Sequence, residues 1–140
     1  MGVEYHPSRG QPESLRLRDL SAGLTVNDLQ ESIRFYTEGL GFFVEEEWKG
    51  PDGVVRGVRL RAGRCDLNLS QDDLGKGRDR VKGVGLRLWL STIQDLDELA
   101  ERARSAGIKL DHEPKEMSWG QRVMSLTDPD GFQISIANPQ

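Results

Sequence analysis

The stretch LTVNDLQESIRFYTEGLGFF, residues 24–43, decides the fold because it contains a strand, a helix and the start of a second strand. Leu24 and Val26 alternate with a polar residue, which is the period of a strand with one buried face. The apolar residues that follow recur at helical spacing, and they are Leu29, Ile33, Tyr36 and Leu40. The stretch therefore predicts a compact β–α–β unit.

Capping and stop signals define the helix of this unit. Asp28 can accept hydrogen bonds from the first free helix amides, and Glu31 stands three residues later, which makes a capping box. Gly39 and Gly41 supply the left-handed conformation that ends a helix. These signals predict a helix over residues 28–38.

The same order of elements occurs twice along the chain. In the first half, strands are predicted over 15–26, 42–49, 54–62 and 64–70. In the second half, a capped helix is predicted over 96–105, with strands over 84–90, 108–115, 121–127 and 132–137. The triplet Leu67-Asn68-Leu69 corresponds to Ile134-Ser135-Ile136, each after a glycine turn. Because such a repeat fixes the topology, it predicts an α+β fold of two tandem βαβββ modules, with curved mixed sheets around a cup.

We expect one domain preceded by a tail. Module one is assigned to residues 15–71, a polar linker to 72–82 and module two to 83–138, while residues 1–14 are expected to form a flexible tail. The linker is expected to be a solvated loop or, alternatively, a mobile segment that closes over a ligand.

Composition disfavours several classes of partner. The net charge is −4 with acidic and basic residues mixed, so nucleic-acid binding has no electrostatic support. No apolar run approaches the roughly 18–20 residues that cross a membrane, and the first residues lack the apolar core of a signal peptide. Cys65 is the only cysteine, which excludes an intramolecular disulfide. We expect Cys65 to be buried and structural, and the protein to be cytoplasmic.

Strand alternation assigns the side chains of each sheet to two faces. The leucines, isoleucines and valines should face the helices, which leaves the opposite face polar. In module one this polar face should carry Ser21, Gly23, Thr25, Arg59, Arg61, Asp66, Asn68 and Ser70. In module two it should carry Gly85, Arg87, Trp89, Ser125, Gln133 and Ser135. The run Glu45-Glu46-Glu47 is interpreted as a solvated strand edge.

Several motifs together point to one family. They are Leu24-Thr-Val-Asn-Asp-Leu29, Ser32-Ile-Arg-Phe-Tyr36, Gly39-Leu-Gly-Phe42, Trp119-Gly-Gln-Arg122 and Asp128-Pro-Asp-Gly131-Phe-Gln-Ile134. With the repeat, they make the chain resemble the vicinal oxygen chelate superfamily of glyoxalases, bleomycin-resistance proteins and extradiol dioxygenases. The resemblance covers about residues 20–138. It implies paired βαβββ modules, a cup between them and often a homodimer.

The resemblance also implies where a metal would bind. Enzymes of that family hold a divalent metal with histidines and glutamates on the first, fourth, fifth and eighth strands, and the metal chelates two neighbouring substrate oxygens. Motif spacing carries these positions onto Ser21, Asn68, Gly85 and Ser135. None of them offers an imidazole or a carboxylate, so we expect no metal and no cofactor.

The leading hypothesis is therefore a metal-free protein that binds a small organic ligand in the cup, as a homodimer. The residues predicted to line the ligand are Arg59, Asn68, Arg87, Trp89, Trp119 and Ser135. No catalytic residue is assigned, and the prediction leans away from an enzyme. One alternative is a lyase or dioxygenase-like enzyme with a nonstandard site, built with Asp66 and His112 or shared across a dimer. Another is a structural dimer whose polar faces are filled by a partner's side chains.

Overall fold

The computed structural model describes residues 14–139, so the predicted tail lies outside the described residues except for Ser14. Module one contains β1 (Ala22–Val26), α1 (Leu29–Arg34), a π-helical turn (Phe35–Gly39), β2 (Phe43–Lys49), β3 (Val55–Ala62) and β4 (Cys65–Gln71). Module two contains β5 (Arg87–Ser91), α2 (Leu96–Ser105), β6 (Leu110–Glu116), β7 (Arg122–Thr127) and β8 (Gln133–Ala137).

Each module forms one four-stranded mixed sheet. The strand orders are β1-β4-β3-β2 and β5-β8-β7-β6. In both sheets the first strand pairs in parallel with the last, and the remaining pairs are antiparallel. The predicted α+β fold of two βαβββ modules is confirmed.

Two strands are shorter than predicted. The prediction began β1 at residue 15, but the strand begins at Ala22, and the preceding Leu15 is 80% exposed. The apolar residues of that segment do not contact the core, so their alternation with arginines is not a sign of sheet pairing. The prediction began β5 at residue 84, but Gly83 and Gly85 adopt φ of +77° and +76°, and the strand begins at Arg87.

The helix of module one changes character half-way. Asp28 caps it as predicted, with Oδ1 accepting from the Glu31 amide at 3.2 Å. The α-helix ends at Arg34, and a π-helical turn takes the place of its predicted continuation. The wider turn buries the consecutive residues Phe35 and Tyr36, whose rings meet edge to face with centroids 5.0 Å apart.

The two modules meet through their helical sides. One hydrophobic cluster contains core residues of both sheets and both helices. Arg102 of α2 donates to the carbonyl oxygens of Thr37 and Glu38, each at 3.0 Å, and so binds the end of the π-helical turn. Because the helical layers face each other, the polar faces of the sheets lie on the outside of the chain. No helix among residues 14–139 is long and apolar enough to span a membrane.

The structure corrects one local expectation and adds detail to a second. Cys65 is exposed rather than buried, because it is the first residue of β4 and directly follows the turn at Gly63 and Arg64. The segment expected to be a solvated loop is exposed between its ends, and it is anchored where the Lys82 ammonium lies 2.8 Å from Asp72 Oδ2 and donates to Asn27 Oδ1 at 2.8 Å. The Lys82 side chain is only 3% exposed. The segment therefore starts and ends on the folded body.

Candidate functional site

The pairing register arranges the polar face of each sheet into a straight row of side chains. In module one, the residues aligned across the four strands are Gly23, Asn68, Arg59 and Glu46, which we call the module-one row. In module two, the aligned residues are Trp89, Ser135, Ser125 and His112, which we call the module-two row. Four of the six predicted lining residues therefore lie in these two rows.

Arginines of the module-one face are paired with carboxylates. Arg59 Nη1 lies 3.0 Å from Glu46 Oε2, and its guanidinium carbon lies 5.7 Å from the centroid of the Trp48 ring. Arg61 lies 3.0 Å from Glu45 Oε2 and 3.1 Å from Asp66 Oδ1. These contacts raise the pKa of Arg61 above its ordinary value, first through the hydrogen bond to Glu45 and then through the charge of Asp66.

The Glu45–Glu47 run lies on the exposed edge strand β2, as interpreted from the sequence, but two of its carboxylates also pair with arginines. A bulge in β2 between Val44 and Glu46 places Glu46 opposite Arg59. Trp48 follows on the same face, opposite Gly57, where an added Cβ would lie 3.0 Å from the indole ring. The bulge leaves no mark in the sequence, so strand alternation alone could not assign Glu46 and Trp48 to this face.

Asn68 has an unusual environment in the middle of the module-one row. Its Oδ1 atom is buried, and within the described part of the chain it has no hydrogen-bond partner. A buried acceptor without a donor costs free energy unless a donor reaches it. The atom is therefore a place where a bound molecule or a second protein copy could donate a hydrogen bond.

Arg87 covers the centre of the module-two row. Its Nη1 donates to Ser135 Oγ at 2.8 Å, and its Nη2 donates to Gln133 Oε1 at 3.1 Å. Ser135 is only 3% exposed, whereas Trp89 next to it in the row is 57% exposed. This face therefore presents a fixed guanidinium beside an accessible indole ring.

His112 ends the module-two row on the edge strand. Its Nδ1 lies 3.0 Å from the carbonyl oxygen of Glu113. In the tautomer with the proton on Nδ1, this nitrogen donates to the carbonyl and Nε2 remains an acceptor.

Trp119, although predicted to line the site, lies in neither row. It belongs to the connection between β6 and β7, and its indole nitrogen donates to Gln121 Oε1 at 2.9 Å. Gln121 in turn donates to the Asn138 carbonyl oxygen at 2.8 Å, so Trp119 is attached to the chain after β8.

The inferred metal positions also shift. Ser21 directly precedes β1, two residues before Gly23, which pairs with Asn68. The residue two before Trp89, which pairs with Ser135, is Arg87 and not Gly85. The fifth-strand position is therefore occupied by an arginine, because the turn at Gly83–Leu86 is longer than motif spacing suggested.

The residues at these positions do not fit a divalent metal. Ser21, Asn68 and Ser135 are neutral and weak ligands, and Arg87 brings a positive charge within 2.8 Å of Ser135 Oγ. Across residues 14–139, no group of three or more His, Cys, Asp or Glu side chains is arranged to hold a metal ion. Asp66, the one nearby carboxylate considered from the sequence, is paired with Arg61.

The polar face of module one ends against the linker. A groove of about 590 Å³ is bordered by Thr25 and Ser70 on one side and by the linker residues Lys76 and Arg80 on the other. The linker therefore adds two basic residues beside the module-one face. The sequence alone did not indicate this position of the linker.

Comparison with known proteins agrees with this architecture. The sequence model of the glyoxalase/bleomycin resistance protein/dioxygenase superfamily matches residues 20–136. An uncharacterized protein of Mycobacterium tuberculosis is 26% identical over 141 aligned positions, which cover 96% of this chain and 82% of that protein. A lactoylglutathione lyase of Oryza sativa is 27% identical over 129 positions, which cover 89% of this chain but 44% of the lyase.

Solved structures share the fold. A glyoxylase/bleomycin resistance protein/dioxygenase domain from Frankia sp. superposes with a TM-score of 0.72 at 26% identity, over 91% of this chain and 94% of that one. TioX from Micromonospora sp. superposes with a TM-score of 0.69 at 17% identity, over 85% and 96% of the two chains. The family model, which spans both modules, shows that the chain belongs to the glyoxalase/bleomycin resistance protein/dioxygenase superfamily.

Proposed function

We propose that this protein binds a small organic molecule, without a metal, in a cup walled by the polar faces of its two sheets. The observation that carries the proposal is the pair of aligned rows, which gather hydrogen-bonding groups and aromatic rings on surfaces outside the core. Shape and a few placed polar groups are what small-molecule sites require. The donor set at the family's metal positions supports the metal-free part of the proposal.

The cup needs two copies of the chain. Within one chain the helical sides meet and both polar faces point outward, so the rows of one chain do not enclose a space between them. A twofold dimer would place the module-one face of one copy opposite the module-two face of the other, and symmetry would then generate two equivalent cups. The exposed aromatic side chain of Phe43 on the module-one face favours such a contact.

The ligand-binding proposal is tested with untagged protein. We expect a dimer in analytical ultracentrifugation and no stoichiometric zinc, nickel or iron in elemental analysis. A thermal-shift screen against a library of small organic molecules should give hits that survive EDTA, and a ligand at 100 times its dissociation constant adds about 2.7 kcal/mol of stability. In ¹⁵N–¹H spectra, these hits should shift the amides of both rows.

Three outcomes would contradict the proposal. Tightly bound stoichiometric metal would overturn its metal-free part. If the hits shift only the amide signals of the groove between Arg34 and Lys109, at the module junction, the binding site is that groove and not the rows. A dimer that gives no hits would favour the purely structural role.

A second candidate function is supported by the position of His112. This imidazole shares its row with Ser135 and Trp89, so a ligand held over the row would have an acid–base group at one end. In a lyase or dioxygenase-like enzyme, turnover of a methylglyoxal–glutathione adduct or of a catechol should fall sharply in His112→Gln. The exposed-helix variant Ser105→Ala should retain the activity. Absence of turnover of either substrate, with and without added metal, would remove this candidate.

A further inference from the structure

We propose that Arg87 and Trp89 form a subsite for a planar aromatic carboxylate. The proposal rests on the ligand-binding function proposed above, and it names the chemical class of the ligand. It is carried by three features of the module-two face: an uncompensated charge, a fixed guanidinium and an accessible indole ring.

The charge is the first feature. The arginines of the module-one face have carboxylate partners, since Arg59 pairs with Glu46 and Arg61 pairs with Glu45 and Asp66. Arg87 instead has neutral partners, the Ser135 hydroxyl and the Gln133 side-chain carbonyl. Within residues 14–139 no carboxylate forms an ion pair with Arg87. The positive charge of Arg87 is therefore available to an anion.

The geometry of Arg87 is the second feature. Ser135 and Gln133 each accept from a different terminal nitrogen, so the guanidinium plane is held by two hydrogen bonds. A guanidinium has five N–H groups, and these contacts use two of them. The remaining donors can bind the two oxygens of one carboxylate side by side. Because the side chain is already ordered, binding loses less conformational entropy than it would with a free arginine.

Trp89 is the third feature, and it selects among anions. Arg87 and Trp89 are two residues apart on one strand, so they share a face at about 6.6 Å, from a rise of about 3.3 Å per residue. The indole of Trp89 is 57% exposed and can stack on a flat ring. A molecule whose carboxylate is attached directly to an aromatic ring reaches both side chains at once, whereas an inorganic anion reaches only Arg87.

The test compares a matched pair of probes on the full-length protein. Dissociation constants of 2-naphthoate and of its neutral isostere 2-naphthamide are measured by ¹⁵N–¹H titration, with the Trp89 indole N–H as reporter. We expect 2-naphthoate to bind at least tenfold more tightly than 2-naphthamide. Benzoate, with a smaller ring, should bind several-fold more weakly than 2-naphthoate.

Variants separate the two side chains. Arg87→Gln should remove the preference for the carboxylate over the amide. Arg87→Lys should retain part of this preference, because the positive charge remains while the paired N–H donors of the guanidinium are lost. Trp89→Leu should remove the advantage of 2-naphthoate over benzoate. Arg56→Gln removes an exposed arginine paired with Asp52 and should change neither ratio. Circular dichroism and melting temperatures confirm that each variant is folded.

The outcomes distinguish this proposal from the one it rests on. Equal binding of naphthoate and naphthamide, or a carboxylate preference that survives Arg87→Gln, would overturn the aromatic-carboxylate subsite. If neutral molecules from the library bind the rows and 2-naphthoate does not, this proposal fails and the ligand-binding function stands. If neither the probes nor any member of the library shifts the row amides, the ligand-binding function itself fails.

Discussion

The hydroxyl of Tyr36 donates a 2.7 Å hydrogen bond to Oδ2 of Asp128, and this bond joins the π-helical turn of module one to the β7–β8 turn of module two. The other oxygen of Asp128 accepts from the amides of Asp130, at 2.9 Å, and Phe132, at 2.8 Å. Burial raises the pKa of Asp128, and burial together with the charge of Asp128 raises the pKa of Tyr36 well above its ordinary range. The junction between the modules therefore contains a buried ionisable pair.

Removing the hydroxyl should destabilise the junction. We expect Tyr36→Phe to lower the free energy of unfolding by about 1.5–3 kcal/mol, because a buried hydrogen bond to a charged group is lost. Urea denaturation followed by circular dichroism measures the change. Ser105→Ala, which alters an exposed residue at the end of α2, should stay within about 0.5 kcal/mol of the parent. A Tyr36→Phe protein as stable as the parent would show that this bond is not important for stability.

The raised pKa of Asp128 predicts a pH dependence with a definite sign. Between the ordinary aspartate value, about 3.9, and the higher value in the folded protein, the folded state binds more protons than the unfolded state. Stability contributed by this group therefore falls as pH rises through that window. Asp128→Asn has no such titration, so the parent should lose stability relative to the variant as the pH rises above about 4. Parallel stability curves for the two proteins would contradict the prediction.

The buried ammonium of Lys82 should be important for stability. Its partner Asp72 has a pKa lowered first by the hydrogen bond from Lys82, then by the one from the Leu74 amide, and Asp130 Oδ1 lies 4.0 Å from the ammonium. Lys82→Met leaves Asp72 with only Arg80, whose Nη1 lies 4.0 Å from Oδ2, so we expect a clear fall in the midpoint of urea denaturation. Lys76→Met, on the exposed part of the same linker, is the matched control. Similar effects of the two substitutions would mean that the ion pair is not specific.

Gly39 is predicted to be sensitive to the smallest added side chain. A Cβ at this position would collide with Cδ1 of Ile108, which packs against the end of the π-helical turn. Because Cδ1 is the far end of a flexible side chain and can move, Gly39→Ala should cost no more than about 1 kcal/mol through overpacking. Ile108→Val removes the contacting methyl group. The double variant should therefore lose less stability than the sum of the losses in the two single variants. Simple additivity would show that the contact is not the cause.

Much of the architecture could be predicted from the sequence because its signals are local. The Asp28 cap, the glycine stops and the recurring triplets depend on nearest neighbours, and they gave both modules and the bounds of α2 at Leu96–Ser105. The start of β1 could not be predicted in this way, because the stretch from Leu15 has strand-like alternation but pairs with no strand among residues 14–139. A strand boundary depends on the partner strand, which is distant in sequence.

The sequence was sufficient to assign the candidate site residues to a face of each sheet, but not to align them in rows across the strands. Alternation assigned Arg59, Asn68, Trp89 and Ser135 to the polar faces, and the structure places them there. The bulge in β2 and the long turn before β5 change the register by one or two residues. Alternation also assigned Arg87 to its polar face, but it could not show the contact between Arg59 and Glu46, nor that Arg87 occupies the fifth-strand position assigned to Gly85.

The two rows follow one backbone plan with unrelated side chains. The chain repeats its architecture, yet Trp89 stands where the first module has Gly23, and Ser135 stands where it has Asn68. In a twofold dimer, each enclosed space would therefore have one wall with the Asn68 amide and paired charges, and one wall with an indole and an unpaired cation. A ligand rotated by 180° would place each of its groups against the other wall. Because the two walls differ chemically, the repeated fold would favour a single orientation of the bound ligand.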